Sequence, residues 1–100
     1  MSFRVSYSGA VRASLRELLE DALRRDPQLG RRVLDAAKAI DSQLRTSARD
    51  WGEACFVRPD LALEVRIAIV PPLAVTFAVH QQLDVVFVQR FNLLVGPQGT

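Results

Sequence analysis

Three β-rich runs between Leu61 and Phe91, LALEVRIAIV, AVTFAVH and DVVFVQRF, separated by two short breaks, constrain this chain more than any other stretch. In the first run Leu61, Leu63, Val65, Ile67 and Ile69 alternate with Ala62, Glu64, Arg66, Ala68 and Val70. That period of two is the mark of a strand with unlike faces. The second run repeats it, with Val75, Phe77 and Val79 against Ala74, Thr76, Ala78 and His80. Antiparallel partners share a face, and a slip of one residue exchanges the faces, so matching like with like sets a register. Ile69 is then expected opposite Val75 and Ile67 opposite Phe77, with a turn over Pro71-Pro72-Leu73. Val79 is expected opposite Val85 and Phe77 opposite Phe87, with a second turn over Gln81-Gln82-Leu83. The bulky residues would form one face. The other would hold the rows Glu64, His80, Asp84; Arg66, Ala78, Val86; Ala68, Thr76, Val88; and Val70, Ala74, Arg90.

Upstream, Phe3, Val5 and Tyr7 alternate with Arg4, Ser6 and Ser8, which predicts a short strand. Ser8 can cap a helix whose apolar stripe is Val11, Leu15, Leu18, Ala22 and Leu23. Asp26-Pro27 starts a second helix with Leu29, Val33, Ala36, Ala37, Ile40 and Leu44 inward, and Gly30 weakens its first turn. Arg45 to Ala54 has no clear period; Trp51 within it is expected to pack over the helix–sheet edge. Cys55-Phe56-Val57 suits a short edge strand before a turn at Arg58-Pro59-Asp60. The expected fold is α+β: an N-terminal strand, an antiparallel helix pair over one face, then an antiparallel β-meander. Residues 1–95 are expected to make one domain and 96–100 a disordered tail.

One hundred residues suffice for a two-layer core but not for two domains. Thirteen Lys+Arg against 11 Asp+Glu give a net charge of +2, far from the footprint of a strong nucleic-acid binder. Twelve of the 13 basic residues are arginine, which suits bidentate contact with phosphate or carboxylate and equally suits GC-rich coding. The single cysteine, Cys55, excludes an internal disulfide framework. With no membrane-length apolar run and no leader segment, the expected compartment is the cytoplasm.

No CxxC pair, metal-spaced histidine cluster, phosphate-binding glycine loop or GxSxG is present, and no metal or cofactor is expected. Glu64, His80 and Asp84 in one row could orient an imidazole as an acid or base, or be an ordinary solvated pair beside a hairpin turn. Cys55 with His80 is a second pairing to weigh against a cysteine that simply packs. Arg66 and Arg90 interrupt rows of small residues, where a guanidinium is positioned for an anion or lies at a sheet margin in water.

The opening FRVSYSGAVRASLREL, the helix pair through Leu44, the stretch RPDLALEVRIAIVPPLAVTFAV and the closing VVFVQRF together resemble the RelE/ParE toxin superfamily over residues 2–93. The resemblance implies a toxin of a toxin–antitoxin system, either a ribosome-dependent mRNA endonuclease or a gyrase inhibitor, silenced by an antitoxin. The nuclease members use basic residues on the central strands and a C-terminal tyrosine or histidine. Here the strand position survives as Arg66, no arginine follows the first hairpin, and Asn92-Leu93-Leu94-Val95 supplies no such C-terminal group. Two expectations follow. One is a catalytically weak module that binds a protein, an antitoxin or a target, through an exposed sheet face including Val86 and Val88. The other is an active mRNA endonuclease on the ribosome, with Arg58, Arg66 and Arg90 on phosphates. The face expected to lie uncovered, Ala68, Val70, Ala74, Ala78, Val86 and Val88, could equally serve a homodimer.

Overall fold

In the computed structural model, which describes residues 2–94, two side-chain caps set the helical half of the chain. After strand β1 (Arg4–Tyr7), the Ser8 hydroxyl accepts the Val11 N–H at 3.1 Å and helix α1 runs Gly9–Arg25. Asp26 alone separates it from α2 (Pro27–Ser47), and its carboxylate accepts the Gln28 N–H at 2.9 Å. So abrupt a reversal forces the helices together at Gly30. A Cβ there would lie 2.2 Å from Leu23 Cδ2 and 3.1 Å from Leu23 Cα, so any larger residue would have to displace the Leu23 side chain, and Gly30 lets the helices cross closely as well as weakening the first turn.

The second half is a four-strand meander: β2 (Glu53–Arg58), a 3₁₀ turn (Pro59–Leu61), β3 (Leu63–Val70), β4 (Leu73–His80) and β5 (Val85–Leu93). Its neighbours are antiparallel throughout, as expected. The whole sheet is nevertheless mixed, in the order β1-β5-β4-β3-β2, because β1 joins parallel to β5 with Val5 opposite Val86. The long helical crossover between β1 and the meander permits this, since a parallel neighbour cannot be reached by a tight turn.

Both hairpin registers differ from the sequence expectation by one residue. The first turn is the two-residue Pro71-Pro72, so Val70 faces Leu73, Ala68 faces Val75 and Arg66 faces Phe77. The second leaves Val79 opposite Val86 and Phe77 opposite Val88. A one-residue slip turns a whole strand over. Phe77 and Val79 are in the core as expected, but Ile67 and Phe87 are not. Ala68, Val70, Val86 and Val88, expected on the uncovered side, lie under the helices with Val33, Ile40 and Leu44.

The reason is spatial. The segment after α2 passes directly over β3 at Trp51-Gly52, where a Cβ on Gly52 would meet the Ile67 carbonyl oxygen at 2.5 Å and the Ala68 Cβ at 3.0 Å. Only a small side chain fits beneath it, so Ala68 faces inward and Ile67 outward. Trp51 itself stacks on Phe77, ring centres 5.8 Å apart, at the helix–sheet edge where it was expected. The expected tail, 96–100, falls outside the described residues. Among those described, no helix is long and apolar enough to cross a membrane.

Candidate functional site

The face turned away from the helices is where this domain departs from an ordinary surface. Its residues follow from the pairing. Phe56, Val65, Ala78, Phe87 and Ser6 form a row across all five strands. Glu53, Ile67, Thr76 and Arg90 form the next, and Ile69, Ala74 and Asn92 a third. At the opposite end Arg58, Leu63 and His80 share a row, and Arg4 lies opposite Val85.

Small side chains on central β4 make a trough: Ala74, Thr76 and Ala78 are buried although no helix covers them. Larger side chains on its flanks stand exposed, Ile69 by 61%, Ile67 by 40%, Phe87 by 41% and Phe56 by 54%. Four bulky apolar groups on three strands of one uncovered face form a contiguous patch of the sort that marks a contact surface. Arg90 and Arg4 stand on the same face, and neither forms an ion pair with any described residue. Arg58 does, weakly, with Asp60 at 3.6 Å, both exposed.

The residues expected to carry chemistry are largely occupied elsewhere. Arg66 points to the helical side, where Nε donates to the Trp51 carbonyl at 2.8 Å and Nη2 to the Gly52 carbonyl at 3.0 Å. Its Nη1 meets Glu64 at 2.7 Å. It is a clamp that fixes the Trp51 segment on the sheet, and its expected place on the uncovered face is corrected. Glu64 is opposite Val79 instead of His80, so the row Glu64, His80, Asp84 does not form. The His80 Nδ1 accepts the backbone N–H groups of Gln82 and Leu83 at 3.1 and 3.0 Å, tying down the β4–β5 turn. Asp84 pairs with Arg49 at 3.0 Å. Glu64 and His80 do share the rim of a shallow cleft of about 250 Å³ with Arg49, but each is already engaged in a structural bond. Cys55 is exposed on β2, near no histidine in the pairing.

Arg49 carries more of the fold than the sequence suggested. Besides Asp84 it donates to the carbonyls of Leu83 and His80 and lies over the Phe3 ring at 5.0 Å. A second network joins β1 to α2. The Tyr7 hydroxyl donates to Asp41 at 2.6 Å, and Arg45 donates to the other carboxylate oxygen at 2.8 Å. Burial, then the hydrogen bond to Asp41 and its charge, push the Tyr7 phenol well above its ordinary range. Burial works to raise Asp41, yet hydrogen bonds from Arg45 and Tyr7 outweigh it and hold its carboxyl below the usual value.

No protein-family model matches the chain, and no curated protein matches it in sequence.

The open face therefore stands on geometry. One signal for it was present in the sequence. In Val86-Phe87-Val88-Gln89-Arg90-Phe91, Phe91 breaks the period of two, and a bulge at Gln89 lets Val88 and Phe91 both face the core while Arg90 faces out.

Proposed function

We propose that this chain is a RelE/ParE-like toxin-type module, catalytically weak, that binds a protein partner through the open face of its sheet. The observation that carries the reading is the exposed set Phe56, Ile67, Ile69 and Phe87 beside the β4 trough. The order strand, helix pair, antiparallel meander agrees with the resemblance. Arg90 and Arg4 at the border favour an acidic occupant, so the partner is an amphipathic segment of an antitoxin with an apolar stripe and flanking carboxylates. The arginines are not the source of affinity, which comes from burying the aromatic and aliphatic anchors.

The test is co-expression with the product of the adjacent reading frame and measurement of the binary complex by sedimentation. Ile69→Lys and Phe87→Lys are expected to weaken it by about tenfold or more each, the scale of a lost interface anchor. Arg90→Glu should weaken it less. A complex indifferent to both lysine variants, or no complex, overturns the reading.

The second reading, an active ribosome-dependent mRNA endonuclease, draws support from Arg90 and Arg4, cations on the open face with no ion pair to described residues. Arg66 would not serve it, being committed to two carbonyls and Glu64. Toeprinting of a translated message separates the two. Strong cleavage at codon-defined positions, lost in Arg90→Ala, would favour the nuclease.

A further inference from the structure

Strand β2 ends the sheet, and all six of its residues, Glu53-Ala54-Cys55-Phe56-Val57-Arg58, are exposed. Among the described residues, no strand continues the sheet beyond it. An edge with apolar residues in its middle is a template for further pairing unless something blocks it. What sets this edge apart is its symmetry. The sequence reads charged, apolar, apolar, then apolar, apolar, charged, with opposite signs at the two ends.

In a regular strand, residues five apart point to opposite faces. Here the register shift between Ala54 and Phe56 changes that. Glu53 is opposite Ile67 and Arg58 opposite Leu63, so both lie with the open face. Ala54 is opposite Arg66 and Val57 opposite Glu64, so both lie with the helical face. The bulge therefore gives the pairs 53/58 and 54/57, disposed about the Cys55–Phe56 bond, matching faces, while the charges at the two ends are complementary. Two-fold antiparallel pairing demands this, since each residue must share a face with the one it meets.

The geometry points to a second copy of this chain as the occupant of the β2 edge, joined antiparallel about an axis perpendicular to the sheet. Glu53 then meets the partner's Arg58, and Ala54 meets the partner's Val57. Cys55 and Phe56 of the two chains gather at the axis. The two sheets continue as one of ten strands, and the two open faces become a single surface. The inference does not depend on what binds that face: Ile69→Lys should leave dimerisation unchanged.

Sedimentation of the full chain tests it, with folding of each variant checked by circular dichroism. A dimer with a dissociation constant of about 10–100 µM is expected from so short an edge. Glu53→Arg or Arg58→Glu alone should weaken it about tenfold, because two symmetry-related cross-strand pairs turn from attraction to repulsion. The double reversal Glu53→Arg/Arg58→Glu should restore it. A short bismaleimide should join Cys55 to its symmetry mate in the wild type and the double variant, and fail in either single one. A monomer up to about 1 mM, a dimer untouched by the single reversals, or a double reversal without recovery overturns the proposal.

Discussion

Neighbouring residues on β3 give opposite outcomes under the same substitution, and that contrast tests the register on which the open face depends. Ala68 is 4% exposed beneath Gly52, and Ile67 is 40% exposed on the other side of the strand. Ala68→Lys buries an ammonium beside Arg66, with no acid facing it in the pairing. A buried charge with no partner costs several kcal/mol, so a loss of about 3–5 kcal/mol is expected. That is a large share of the roughly 5–15 kcal/mol stabilising an ordinary domain. Ile67→Lys forgoes only part of the about 1.5–3 kcal/mol that full burial of isoleucine supplies, because the native side chain is already partly in water. Its alkyl stem keeps some contact and its ammonium lies opposite Glu53, so about 1 kcal/mol is expected. Urea unfolding followed by the fluorescence of Trp51, the single tryptophan, reads both variants directly. If Ile67→Lys proves the more damaging, β3 is turned over, and the open face described above is wrong.

Phe77→Ala removes a fully buried ring stacked on Trp51 and should cost about 3–5 kcal/mol, with loss of the near-ultraviolet signal of the tryptophan. Arg49→Ala removes an ion pair, two carbonyl contacts and a ring contact, and about 1–3 kcal/mol by denaturant midpoint is expected given its partial exposure. Tyr7→Phe should cost about 1–2 kcal/mol, read in the same way. The network it breaks also titrates. Asp41 is held below its unfolded value, so its contribution is present above about pH 4 and is lost as pH falls through the folded value. Tyr7 is held above its unfolded value, so its contribution is full below about pH 10 and is lost as pH rises towards the folded value. Both limbs of the stability profile should flatten in Tyr7→Phe.

Local chemistry determined much of this protein. Ser8 and Asp26 mark the helix starts because a side-chain oxygen can satisfy the first free N–H groups only there. Period-two alternation identified the strands, and a residue as large as Trp51 could be assigned to packing from its area alone. Those signals lie within a few residues of one another, where the chain's covalent geometry fixes what can meet. Which side of each strand faces the helices was not local. It turned on a first turn shorter by one residue at Pro71-Pro72, a second connection longer by one between His80 and Val85, and bulges near Cys55 and Gln89, none of which alternation can count. Matching large with large across β3 and β4 gave a consistent answer with β4 facing correctly and β3 turned over. The tertiary structure decided otherwise because Gly52 comes close to β3 over Ala68, which leaves Ile67 and Ile69 on the uncovered face, and because the β4–β5 connection is one residue longer than alternation implied, which turns Phe87 out beside them.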